Sequence, residues 1–141
     1  MIVSFTFTIS ATCAKKPEIV VNGVFFWTGA PVPEMSRETP NGMILRGTVP
    51  LMYTGSFVGP AIGEFVWNTH TKRPVTGRNF HTINTATGSL VILLSNSNSR
   101  WRIISGTGAY ENIHGTGTFV ADESTEFSFD FIYTGNVHFD P

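Results

Sequence analysis

The stretch Ser105-Gly-Thr-Gly-Ala-Tyr-Glu-Asn-Ile-His-Gly-Thr-Gly-Thr-Phe119 decides the fold of this chain. Its four glycines bracket one aromatic residue, Tyr110, and one aliphatic residue, Ile113. Glycine is favoured where φ must be positive or where two backbones pass closely. The spacing therefore predicts a tight link between two strands, which Tyr110 and Ile113 seat on the core. A dinucleotide-binding loop is disfavoured, because Glu111 stands where a third glycine is needed and no helical pattern follows.

Alternation of apolar and polar residues dominates the rest of the chain. Residues 1–14, 43–57 and 126–139 each place apolar side chains on one face and mostly polar ones on the other. A period of two is that of a half-buried strand. About eight or nine such segments, without a sustained helical stripe, predict an all-β fold: a single antiparallel β-barrel of about eight strands with little or no helix. The interior of such a barrel holds side chains or one small ligand.

Three segments depart from this alternation. Residues 28–42 contain three prolines and no period, which predicts a long loop with a short helical turn at residues 34–38. Residues 70–77 are predicted to form a polar loop. Pro50 interrupts a strand pattern, and because proline lacks an N–H we expect it at a sheet edge or a bulge.

Length, charge and cysteine content limit the classes of protein. The 141 residues suit one domain, spanning 1–141. The net charge is −1 and the few cations are scattered, which argues against nucleic-acid binding. No apolar run is long enough for a membrane span. Residues 1–14 lack a basic region, so we interpret them as a strand and not a signal peptide, and expect a cytoplasmic rather than a secreted protein. The single cysteine, Cys13, is expected to be a small buried hydrophobe.

The glycine link resembles a segment of the allene oxide cyclase-like barrel superfamily, carried here by Gly106, Gly108, Tyr110 and Gly115. The chain is most similar to uncharacterised bacterial proteins of the DUF3224 type, and more distantly to dirigent proteins. Residues 54–59, Thr-Gly-Ser-Phe-Val-Gly, also resemble the segment before the next strand in that group. The resemblance implies an eight-stranded barrel with an apolar cavity. Members include cyclases acting on oxylipins or polyketides, but no catalytic residue of theirs can be placed on this chain.

Aromatic residues are abundant, with 12 Phe, 3 Trp and 3 Tyr. Most of these residues are expected simply to fill the core, and core packing alone is the favoured explanation; the alternative is a cavity whose aromatic walls and few polar tips suit an apolar ligand. We predict that the following residues line a ligand-binding cavity: Tyr53, Phe65, Trp67, Phe129, Phe131 and Tyr133.

Glu64 and His81 are the two candidates for catalysis. If Glu64 points into the barrel, desolvation would raise the pKa of its carboxyl and suit it to acid–base work. The alternative is that Phe65 and Trp67 point inward, which sends Glu64 outward. His81 lies in mid-strand, where a hydrogen-bonded structural histidine is the alternative to a catalytic one. The four histidines have no metal-ligand spacing, so neither a metal nor a cofactor is expected.

Two functions remain open at this point. One is the binding of a hydrophobic small molecule in the barrel, with any cyclase or isomerase activity arising from the shape imposed on the substrate. The other is a non-catalytic structural or interaction protein. Residues 90–94, Leu-Val-Ile-Leu-Leu, are apolar on both faces, and an apolar outer face is typical of a homo-oligomer interface. Whether the protein is an enzyme is left open by its sequence.

Overall fold

The computed structural model describes residues 17–71, 73–74, 77–122 and 130–141. The strand predicted at residues 1–14, with Cys13, lies outside the described residues. So does Phe129, together with the first part of the strand predicted at 126–139.

Strands make up almost all of the regular structure. The one helical element among the described residues is a single 3-10 turn at Gly108–Tyr110, and no described helix is long and apolar enough to cross a membrane. The strands are β1 Ile19–Trp27, β2 Val32–Thr39, β3 Gly42–Tyr53, β4 Gly59–Asn68, β5 Arg73–Pro74, β6 Arg78–Thr85, β7 Gly88–Ser95, β8 Arg100–Gly106, β9 Ile113–Ala121 and β10 Asp130–Phe139.

Eight of these strands close into an antiparallel barrel. Their order is β3-β1-β10-β9-β8-β7-β6-β4, and β4 pairs back with β3 to complete the ring. Closure leaves the barrel strands without a free edge. The predicted all-β barrel of about eight strands is confirmed. Alternate residues point inward, so that on β7 Leu90, Ile92 and Leu94 are buried while Val91 and Leu93 are half-buried on the outside.

Strand β3 has two neighbours along one edge. The end of β1 pairs with residues 51–53 and β2 pairs with residues 42–48. Pro50 lies in the gap between these pairings, where its carbonyl oxygen accepts a hydrogen bond from the Thr28 N–H at 3.0 Å. The N–H and C=O of a strand residue face the same side, so the N–H that proline lacks would point into this gap. Pro50 therefore lies at a local edge of β3, as one of the two predicted alternatives has it, whereas the pairing of β3 with β4 passes through Pro50 without a bulge.

The predicted loop over residues 28–42, with its helical turn at 34–38, is wrong. Strand β2 occupies most of this segment and forms a hairpin with β3, closed by a 2.7 Å hydrogen bond from the Thr39 hydroxyl to the Gly42 carbonyl oxygen. All of β2 before Thr39 is exposed. A strand with both faces in solvent needs no alternation of apolar and polar residues, so the pattern that identifies the other strands is missing here. The polar segment 70–77 likewise contains the short strand β5.

The glycine link joins β8 to β9 through the 3-10 turn. Gly108 has φ of +60°, a region that favours glycine, and a Cβ there would lie 2.3 Å from the Thr87 carbonyl oxygen. Ile113 is buried, and Tyr110 packs against the core with its ring edge-on to Phe57 at 6.2 Å. The predicted tight link with two apolar contacts is confirmed.

Later glycines of the same stretch create a slot for a tryptophan. Gly117 pairs with Gly135 across β9 and β10, and a Cβ on either residue would lie within 2.5 Å of the Trp101 indole. The indole Nε1–H donates to the Thr118 and Thr134 carbonyl oxygens, each at 3.1 Å. The missing side chains therefore let a large aromatic group lie flat inside the barrel with its polar atom satisfied.

Candidate functional site

A cavity of about 390 Å³ opens at one end of the barrel. This is the end where β1, β4 and β9 finish and where β6 and β10 begin. Six aromatic side chains that share the inward face of these strands form its walls: Phe25, Trp27, Phe65, Trp67, Phe119 and Phe131.

The interior beneath the cavity is filled. Phe57 and Tyr133 stack with ring centroids 5.7 Å apart. The Tyr133 hydroxyl donates to the Thr54 carbonyl oxygen at 2.8 Å and accepts from the Phe57 N–H at 3.0 Å. The space beside Tyr53 and Trp101 is about 10 Å³, at the lower limit for one water molecule. A ligand can therefore enter only from the open end of the barrel, and only as far as the packed layer that contains Tyr53, Phe57 and Tyr133.

His81 is a polar group deep in the cavity wall. It is 7% exposed, and its Nδ1 lies 2.7 Å from the Tyr53 hydroxyl. Burial lowers the pKa of His81 from 6.5 to about 3, because a charged imidazolium loses its hydration there. The imidazole is therefore neutral at physiological pH.

Tyr53 supports the imidazole from β3. Burial, and secondly the neighbouring Tyr133, raise the pKa of Tyr53 well above 10.0, so the phenol keeps its proton. Phe25 stacks on the Tyr53 ring at 4.9 Å and meets the His81 ring edge-on at 5.3 Å. Stacked and edge-on aromatic contacts restrict ring orientation, so the pair is held in one geometry.

Polar side chains stand around the mouth. Asn79, Asn96 and Ser99 border the opening, and so does Glu64. Glu64 is exposed, whereas its strand neighbours Gly63 and Phe65 are buried. The carboxylate therefore lies at the rim, on the side of β4 that faces solvent.

The residues predicted from the sequence lie at different depths. Phe65, Trp67 and Phe131 are among the cavity walls, while Tyr53 and Tyr133 lie in the layer beneath. Three further aromatic wall residues were not among the predicted cavity residues: Phe25, Trp27 and Phe119. Phe25 alternates with Trp27, so the period of two already places both on one face.

Two further histidines, His114 and His138, lie on the outer face of β9 and β10. His114 and His138 stack across β9 and β10 at 5.5 Å, and His114 Nε2 lies 2.8 Å from an Asp140 carboxylate oxygen. Among the described residues, no group of three or more His, Cys, Asp or Glu side chains is placed to hold a metal ion.

Comparisons with known proteins give likeness in structure only. No family model matches the sequence, and no curated protein matches it. One similar solved structure is the pterocarpan synthase dirigent protein GePTS1, at 18% identity and a TM-score of 0.49, covering 98% of this chain and 100% of that one. Another is the pterocarpan synthase dirigent protein PsPTS1, at 15% identity and a TM-score of 0.45, covering 90% and 99%. The narrower resemblance to DUF3224-type proteins and allene oxide cyclases stays a prediction.

Proposed function

We propose that this protein binds a hydrophobic small molecule in the cavity at the open end of its barrel. The observation that carries the proposal is the cavity itself: about 390 Å³, walled by six aromatic side chains, with a buried neutral histidine in the wall. Ligand sites typically span about 300–1,000 Å³ and combine apolar walls with few polar groups. The packed layer of side chains beneath the cavity limits how far a ligand can enter the barrel.

Any catalysis in this cavity would be of the cyclase or isomerase type. Rigid aromatic walls can hold a flexible substrate near its reactive conformation, which lowers a barrier without a nucleophile. His81 would contact the bound molecule, because it lines the cavity. Glu64 would act only from the rim, where its carboxylate could contact a part of the ligand that projects out of the cavity.

Binding should be measured with a neutral fluorescent reporter, N-phenylnaphthylamine. We expect saturable fluorescence enhancement, and we expect Trp67→Ala to weaken binding about tenfold by removing aromatic wall. Ile62→Ala is the matched control, because Ile62 lies on the same strand but is 57% exposed outside the barrel. An equal loss in both variants, or no saturable binding to the unmodified protein, would contradict the proposal.

A second candidate function is assembly through the outer face of β6 and β7. Phe80 is 41% exposed and pairs with the half-buried Leu93, and Val91 continues the same outer face. If this face is an interface between copies, light scattering should give a dimer or a larger assembly, and Phe80→Lys should dissociate it by placing a charge in an apolar contact. A protein that is monomeric at high micromolar concentration would exclude this candidate.

A further inference from the structure

One ring nitrogen of His81 has no hydrogen-bond partner among the residues that the structure describes. Nδ1 is occupied by the Tyr53 hydroxyl, and the described residues provide no hydrogen bond to Nε2. Yet every fully buried side-chain nitrogen or oxygen of the described residues has a partner. Nε2 is therefore reached from the cavity that His81 lines.

A glycine on the neighbouring strand lets the imidazole of His81 lie close against β4. Gly63 pairs with His81 across β4 and β6, and a Cβ on Gly63 would lie 2.8 Å from Nε2. Any side chain at this position would press on the imidazole edge. The missing side chain of Gly63 is therefore what lets the His81 ring lie at this place in the cavity wall, where the Leu51 side chain also comes close to Gly63.

The Tyr53 proton fixes which nitrogen of His81 carries hydrogen. The phenol is buried and protonated, and Nδ1 is its hydrogen-bond partner among the described residues. If Nδ1 carried hydrogen and donated to the phenol oxygen, the phenol proton would be left buried without an acceptor, which is costly. The phenol therefore donates to Nδ1, and Nε2 carries the hydrogen that faces the cavity.

The charges around this N–H are few. Among the described residues that line the cavity, none is Lys or Arg, and the one carboxylate, Glu64, is exposed at the rim. A ligand carboxylate at Nε2 would lose its hydration without gaining a cation, whereas a ketone or aldehyde oxygen would satisfy the N–H at little cost.

We propose that His81 Nε2–H is a specificity-determining donor for an uncharged carbonyl oxygen, so that the ligand class is apolar ketones or aldehydes. This inference rests on the proposed function, because it concerns the same cavity. Tyr53 is a positioning residue, since it acts on the ligand only through the orientation and tautomer of His81.

Three probes of equal heavy-atom count test the proposal: acetophenone, its isostere α-methylstyrene, and benzoate. Their dissociation constants are measured by ligand-observed NMR with the unmodified protein and with the double variant Tyr53→Phe/His81→Phe. The double variant removes the donor and its partner together, so no orphaned polar group remains to unfold the barrel. We expect the affinity for acetophenone relative to α-methylstyrene to fall roughly tenfold in the double variant, and benzoate to bind most weakly to the unmodified protein.

The outcomes separate this inference from the proposed function. If α-methylstyrene binds but the acetophenone preference is the same in both proteins, the donor role of His81 is overturned while the hydrophobic cavity stands. Benzoate binding as tight as acetophenone would overturn the uncharged ligand class. If none of the three binds, both proposals fall. Nitrogen NMR of the free protein gives an independent check: a protonated Nε2 supports the inference, and a protonated Nδ1 overturns it.

Discussion

Replacing Gly117 by alanine is expected to destabilise the barrel by about 3 kcal/mol or more, with a loss of about 10 °C in melting temperature. A Cβ at this position would lie 1.9 Å from the Thr134 carbonyl oxygen and 2.5 Å from the Trp101 indole. The first contact is with backbone, which moves only if the β9–β10 pairing shifts. The second displaces an indole that donates to two carbonyl oxygens, so hydrogen bonds are lost as well as packing.

Gly77→Ala is the matched control for this experiment. A Cβ at Gly77 would meet no atom of the described residues within 4 Å, so the same chemical change is expected to alter stability by less than about 0.5 kcal/mol. Chemical unfolding followed by tryptophan fluorescence measures both variants, and the emission maximum of Gly117→Ala should shift as Trp101 moves. Equal stability of the two variants would show that the indole does not depend on the glycine slot.

The barrel was predictable because each of its strands has one buried face and one face towards solvent. Leu51 and Tyr53 on β3, and Phe65 on β4, follow the period of two and are buried as the pattern requires. Strand β2 escaped prediction because pairing with β3 is its main contact and solvent covers both its faces. Backbone hydrogen bonds form there without any side-chain pattern, so composition indicated a loop.

The polar pair in the cavity wall was less accessible to sequence reasoning. The sequence alone identified His81 and Tyr53 as separate candidate site residues. Their contact, however, joins β6 to β3 across the intervening strand β4. The residue that permits this contact is Gly63, which has no side chain and so adds nothing to a hydrophobic pattern. Pairing of distant polar residues depends on barrel closure and register, which alternation alone does not determine.

Acid is expected to destabilise the protein through His81. The pKa of this residue is about 3 in the folded state and 6.5 ordinarily. Between these values the unfolded chain binds a proton that the folded protein does not, so the free energy of unfolding falls as the pH drops from 6.5 towards 3. The fall is on the order of 1.4 kcal/mol per pH unit, up to about 5 kcal/mol in all, and the contribution is fully present above pH 6.5.

The groups packed around His81 leave it as the source of this acid dependence within the barrel. Gly63 and Phe25 carry no charge, Tyr53 keeps its proton throughout the range, and the carboxylate of Glu64 lies at the solvent-exposed rim. Urea unfolding across pH 3 to 7 measures the effect, with Tyr53→Phe/His81→Phe as the comparison. In the double variant, the part of the pH dependence of the unfolding free energy that is due to His81 should vanish, while the part due to surface groups remains. An unchanged slope, or an imidazole that titrates near 6.5 by NMR, would mean that water reaches the ring freely. The cavity would then be too wet for an uncharged donor at Nε2 to select its ligand.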